Sequence, residues 1–230
     1  ENMEHHGELG RQFNYRATFD SVDAESNSVY DLLPLFYSDE FDGERLENPT
    51  EYKYDYVSVS AFFPVRYRYF KAFKKANPDK KLALKLYLAP NVYKGKKFTD
   101  PKLVRDLDMD IVSFTPFSPE EIRDMCLNSK AILDLANETQ QGLTMRTMET
   151  LGIRRKIVTN NVYLKDYEFY NEDNACVLEN LPQKAEVAET TGDYSAFTLP
   201  DADWLDKPYE VKDEIRSKYS IHAWLDNLFK

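Results

Sequence analysis

The segment Gln140-Gln141-Gly142-Leu143-Thr144-Met145-Arg146-Thr147-Met148-Glu149 holds the residue types best suited to chemistry in this chain. It follows an apolar run, residues 131–135, across a short polar loop, and its pattern predicts a helix opening on Gly142. A helix N-terminus carries unpaired N–H groups and the positive end of the dipole, and a glycine there lets a phosphate approach the backbone. Gly142, Leu143 and Thr144 would supply amides to a diphosphate, and Arg146 a forked guanidinium. Glu149, three positions further on, can accept hydrogen bonds from vicinal hydroxyls such as those of a ribose. The same spacing also fits a loop glycine followed by a solvated helix face.

Other residues could face the same ligand. The loop Ser60-Ala61-Phe62-Phe63-Pro64 has no glycine, which leaves Ser60 and the following Arg66 as its polar candidates. Asn160 and Asn161 follow the run KIVT, where open α/β sheets bind ligands beyond the carboxyl ends of their strands. Asp106-Leu107-Asp108 and Asp108-Met109-Asp110 spell D-x-D, but they sit in an acidic stretch leading into a strand, and no metal is expected there. His5, His6 and His222 make no zinc-ligand spacing with Cys126 or Cys176. Those two cysteines lie in apolar stretches and read as small buried residues of a reducing compartment, with the cytoplasm as the default. Tyr67, Tyr69 and Phe70 recur at helical spacing beside Arg66 and read as core rather than as a base-stacking platform.

Alternating elements must position these residues. Strands are expected at 56–61, 82–88, 111–114, 131–135, 156–159 and 175–178, and helices at 64–76, 100–107, 119–127 and 142–151. Ser118-Pro119-Glu120-Glu121 spells a capping box with proline at the first helical position. Such alternation implies βαβ units with right-handed crossovers, so the expected class is α/β, a Rossmann-like parallel sheet flanked by helices. That domain spans residues 51–180. Residues 1–50 read as the remnant of a preceding domain plus a linker: Phe13, Tyr15, Ala17 and Phe19 alternate, LLPLFY follows, and 39–50 is polar and closed by proline. Residues 181–230 read as a surface loop at 186–192 and a helical tail that packs back on the domain. Ile221, Trp224, Leu225 and Leu228 mark the docking face of its last helix.

A chain of 230 residues with 42% apolar and 30% charged residues can bury a sufficient core without disulfide or metal. It holds no run of 18 apolar residues, and its start, ENMEHHGELGRQFNY, lacks the basic-then-apolar pattern of a signal peptide, so no transmembrane segment is expected. With a net charge of -10 and no Lys/Arg stripe among aromatics to offset it, nucleic-acid polymers are not expected partners.

From Ser129 to Leu178 the stretches SKAILDL, QGLTMRTMETLG, KIVTNN and DYEFY resemble bacterial glycosyltransferase-like proteins of capsular and lipopolysaccharide biosynthesis. The likeness is to the donor-binding, C-terminal half of the two-Rossmann-domain (GT-B) fold. It extends to LLPLFYSDEFD, YDYVSVSAFFPVRYRYFKAF and YSIHAWLDNLF, although QGLTMRTMETLG is its specific part. The resemblance implies a nucleotide-sugar substrate, no metal or other cofactor, and a partner domain on the N-terminal side that binds the acceptor. Any membrane contact is expected through that other half. In many retaining members an E-x7-E motif spans this helix; here it reads Gln141-x7-Glu149, which assigns Glu149 to the ribose and Gln141 to the sugar. Glutamine keeps hydrogen bonding and removes charge. That change and the glycine-free first loop also fit a second expectation, a non-catalytic interaction module that keeps the fold and has lost donor binding.

Overall fold

The structure, a computed structural model, describes residues 15–137 and 140–229. His5, His6 and Phe13 lie outside the described residues. A short parallel pair comes first, β1 (Ala17–Thr18) and β2 (Asp31–Leu32), joined through α1 (Ser21–Ser26). The main sheet has six strands: β3 (Tyr54–Ala61), β4 (Leu82–Tyr87), β5 (Val112–Ser113), β6 (Ser129–Asp134), β7 (Lys156–Thr159) and β8 (Ala175–Val177). Their order is β5-β4-β3-β6-β7-β8 and every pairing is parallel, so the fold is α/β and Rossmann-like as the alternation implied.

Side-chain alternation along the strands divides the core into two layers. Tyr56, Leu84, Leu133 and Val158 face one, with Tyr67, Phe70 and Phe73 of α2 (Pro64–Ala76) and Leu181 and Ala185 of α7 (Leu181–Thr191). Val57, Ala83, Ile132 and Ile157 face the other, with Cys126 of α5 (Pro119–Leu127) and Met148 and Leu151 of α6 (Met145–Gly152). Between β4 and β5 run α3 (Pro90–Thr99) and α4 (Pro101–Arg105). The expected capping box forms in full: Glu121 N–H donates to Ser118 Oγ at 3.1 Å and Ser118 N–H to Glu121 Oε2 at 2.7 Å. Tyr67, Tyr69 and Phe70 are buried, as read.

Four local expectations are corrected. Helix α6 starts at Met145, not at Gly142, because the Thr144 hydroxyl accepts the Thr147 N–H and ends the loop there. The surface loop expected at 186–192 lies mostly in α7, which begins with Pro182 in its first turn and stops at Gly192 in the left-handed region (φ 75°). Its buried face is built of Leu181, Ala185 and Ala188, and alanine gives too weak a contrast to read as a stripe. Helix α3 was not foreseen at all. In the stretch read as a linker, Phe41 is buried and Gly43 N–H donates to Gly152 O at 2.9 Å.

Arg216, at the end of α9 (Asp213–Arg216), explains why that stretch is fixed. Its side chain is only 2% exposed and its guanidinium donates to Tyr37 Oη (3.0 Å), Asp42 Oδ1 (2.9 Å) and Glu44 Oε1. The tail and residues 37–44 are thus tied through one buried cation; α8 (Ala202–Leu205) precedes this tie. The last helix, α10 (Ile221–Leu228), docks lightly. None of its residues is buried, and its main aromatic contact is Trp224 on Phe36, with ring centroids 4.9 Å apart. Among the described residues no helix is long and apolar enough to cross a membrane.

Candidate functional site

Strands β3, β4 and β5 step to one side of the sheet and β6, β7 and β8 to the other, so chain order reverses between β3 and β6. Loops leaving two such strands diverge to opposite faces and leave a crevice beyond their carboxyl ends. A cavity of about 210 Å³ lies there, lined by Ser58, Ser60, Arg66, Asp134, Gln140, Thr144 and Arg146 among others. A second cavity of about 250 Å³ shares Arg66, Leu135, Ala136 and Asn137 with it and adds Phe63, Val65 and Tyr69. The two form one groove with a polar half and an aromatic half. A larger hollow of about 490 Å³ beside the amino end of β4 is less suited to a ligand's charge, because its Lys74 is already paired with Asp108 and Asp110. The D-x-D aspartates therefore serve an ion pair.

Arg66 projects from the first turn of α2 and is held by main-chain acceptors, Ala61 O at 3.1 Å and Leu135 O at 2.8 Å. Among the described residues no carboxylate pairs with it. Burial lowers its pKa, and the nearby Asp134 charge opposes that. Its guanidinium carbon stands 5.3 Å from the centre of the Phe63 ring. The Ser60 hydroxyl is buried without a hydrogen-bond partner, an arrangement that is costly unless something fills it.

Arg146 reaches the crevice from α6 but is engaged: its Nη1 lies 2.7 Å from Glu149 Oε2 and 3.5 Å from Cys126 Sγ. Burial raises the Glu149 pKa, Arg146 lowers it and Asp134 raises it further. Burial likewise pushes the Cys126 thiol up to about 11, which keeps it protonated and inert at neutral pH. Thr144 caps α6 and donates to Asp134 Oδ2 at 2.5 Å, while the Thr147 hydroxyl donates to the same oxygen at 2.8 Å. The anion seat at this helix N-terminus is thus filled by the chain's own carboxylate.

The remaining expected residues build the walls. Gly142 N–H donates to Asp20 Oδ2 at 2.8 Å, so its amide is not open, and Leu143 is buried in the core. A Cβ on Gly142 would stand 2.6 Å from the Phe19 ring; the glycine is needed for packing against the N-terminal piece rather than for a phosphate. Gln141 contributes its carbonyl, which accepts from Asn161 Nδ2 at 3.1 Å. Asn161 also binds Gly142 O and so pins the loop that precedes α6. Asn160 clamps Ala136 on the crevice floor, accepting its N–H at 2.8 Å and donating to its carbonyl at 3.1 Å. Ser60, Arg66, Thr144 and Arg146 therefore converge, whereas Gln141, Gly142, Leu143 and Asn161 lie behind them.

Four polar lining residues, Ser58, Asp134, Asn137 and Gln140, were not among the expected site residues. Asp134 is an acid inside the apolar run AILDL, and a charged residue at the last position of a buried strand was a usable signal. Gln140 lay inside the segment singled out but was given no role, and Ser58 and Asn137 carried no signal. No protein-family model matches this chain, and no curated protein matches it.

Proposed function

We propose that this chain binds the diphosphate of a nucleotide sugar in the switch-point groove, as the donor-binding half of a glycosyltransferase of cell-surface polysaccharide synthesis. One observation carries the reading: Arg66 and Arg146, from different helices, line one crevice with a partnerless Ser60 hydroxyl at the reversal of strand order. Arg66 still has N–H donors to spare for a phosphate oxygen, and its burial strengthens each such bond. Arg146 exchanges Glu149 for a second oxygen, which leaves Glu149 to accept a ribose hydroxyl. Phe63 and Val65 offer the apolar half of the groove to the base, and Gln140 takes the sugar-facing role that the resemblance gave to Gln141. Transfer requires an acceptor-binding partner, so this chain alone is expected to bind donor without transferring sugar.

A second reading, a non-catalytic module, draws on the same residues. Asp134, Asp20 and Glu149 already occupy the helix end, the Gly142 amide and Arg146. Calorimetry and thermal shift with UDP, GDP, CDP and pyrophosphate decide between them, since a ligand of the native state raises its Tm by an amount that grows with ligand concentration over dissociation constant. Binding that weakens by about 1.5–3 kcal/mol in Arg66→Ala and in Arg146→Ala supports the donor site. Absence of binding by every nucleotide at millimolar concentration leaves the module as the account.

A further inference from the structure

Charge is segregated along this acidic chain in a way that its net value hides. Residues 65–105 carry thirteen of the thirty basic residues and two of the forty acidic ones. They include aromatics at 67, 69, 70, 73, 87, 93 and 98, so the basic, aromatic stretch not seen in the sequence reading exists. On α2 part of this charge is spent on ion pairs, Arg68 with Glu189 and Lys74 with Asp108 and Asp110. On the lysines of α3 and α4 it is not. No ion pair among the described residues involves Lys94, Lys96, Lys97 or Lys102. The acids close by are Asp100, whose carboxylate caps α4, and Asp106 beside Arg105.

Helix α3 is also barely covered. None of its residues is buried, Phe98 is 89% exposed and Val92 43%. Lys94 and Phe98 stand four residues apart and share one face. Between them Gly95 is open, with nothing within 4 Å of an added Cβ. The inner side is anchored by Tyr93, which meets Phe114 edge-on at 4.8 Å and carries Lys97 Nζ 4.8 Å above its ring. The outer side is therefore cationic and tipped by one phenyl ring.

We propose that the α3–α4 surface docks this chain on an anionic lipid bilayer. Phe98 enters the boundary between headgroups and acyl chains, and Lys94, Lys97 and Lys102 face the lipid phosphates. A bilayer fits better than a polyanion that wraps the molecule, because a plane meets only the positive pole while the acidic remainder turns away. Helix α3 begins at Pro90, just beyond the carboxyl end of β4, so docking there sets the edge of the sheet that holds the crevice close to the membrane. The inference does not depend on nucleotide binding.

The test is co-sedimentation of the chain with vesicles of phosphatidylcholine alone and of phosphatidylcholine mixed with phosphatidylglycerol, at low and at high salt. Binding is expected to the mixed vesicles only, and to fall with salt. Each neutralised cation should weaken partitioning about fivefold, so Lys94→Gln/Lys97→Gln/Lys102→Gln should weaken it about a hundredfold. Phe98→Ser should weaken it with the salt dependence unchanged, and both variants should melt with the wild type because the altered side chains are exposed. Absence of wild-type binding to mixed vesicles at low salt would overturn the proposal, as would undiminished binding by the triple variant. Binding of soluble polyglutamate without vesicle binding would overturn it in favour of an acidic protein partner.

Discussion

The Asp134 carboxylate accepts the Thr144 hydroxyl at 2.5 Å, so the last residue of β6 closes the N-terminus of the helix that follows it. A negative charge at that helix end is favourable, and it also lies in the crevice where a phosphate would sit. Asp134→Asn should therefore lower stability by about 1 kcal/mol. For a chain of this size that corresponds to a fall in Tm of about 2–4 °C. Pyrophosphate should bind more tightly to the same variant. Weaker binding, measured by calorimetry, would mean that the carboxylate assists the anion.

Glu149 gives a pH dependence of determined sign. Its pKa is raised in the folded chain by burial, against Arg146, so between the unfolded value and the folded one the native state holds more protons than the unfolded state. Its contribution to stability is present below the unfolded pKa and is lost as pH rises through the folded one. Urea titrations at steps of pH upward from the ordinary carboxylate range should show this loss in the wild type. Glu149→Gln should remove it. An unchanged slope in the variant would assign the dependence to another group.

Arg216 should be the most costly single cation to remove. Arg216→Met leaves Asp42, Glu44 and the Tyr37 hydroxyl without their shared donor while one end of the tie stays buried. Breaking a fully buried pair by deleting one partner costs about 3–5 kcal/mol, and because the Glu44 and Asp213 side chains are more than half exposed the loss here should be about 2–3 kcal/mol. Equilibrium urea unfolding should show that loss, and proteolysis in native buffer should cut first near residues 37–44 or 209–220. A loss below about 1 kcal/mol would class the pair with exposed ones.

Two glycines should respond differently to alanine. At Gly152 an added methyl meets the Phe41 carbonyl and the Tyr37 ring, both held in the core, so overpacking should cost about 1–3 kcal/mol. At Gly142 the obstacle is mainly the Phe19 ring, which is 38% exposed and can swing outward. Gly142→Ala should therefore destabilise less, and near-ultraviolet circular dichroism or hydrogen exchange at residues 17–32 should register the shift. The reverse ranking of melting temperatures would show that Phe19 is fixed and the 37–43 segment yields.

Local patterns carried far in this chain because they report on backbone and layer, which are set by near neighbours. Strand β3, helix α2, the Ser118 capping box and strand β7 were legible from period-two and helical spacing, from proline at first turns and from S-x-x-E. Legibility failed where the signal was weak or the partner distant. Helix α7 hides its face in alanines. Helix α3 shows none because it buries nothing. Gly142 looked like the opening of a phosphate-binding helix, and its role is fixed by Phe19 and Asp20, more than a hundred positions earlier.

The sequence by itself determined the class of fold, a parallel sheet between helices, and with it the edge on which a ligand site must lie, because alternation and right-handed crossovers leave few other arrangements. It also determined that Arg66, Arg146 and Ser60 stand near carboxyl ends of strands. Only the tertiary structure decided which of those groups remain open. Hydrogen bonds and ion pairs form with whatever carboxylate the fold brings within about 3 Å, and that distance is independent of separation along the chain. So the α6 terminus went to Asp134 and the Gly142 amide to Asp20, while the Arg146–Glu149 pair followed from helical spacing alone. The Ser60 hydroxyl was left unpaired, and Arg66 kept donors facing the groove.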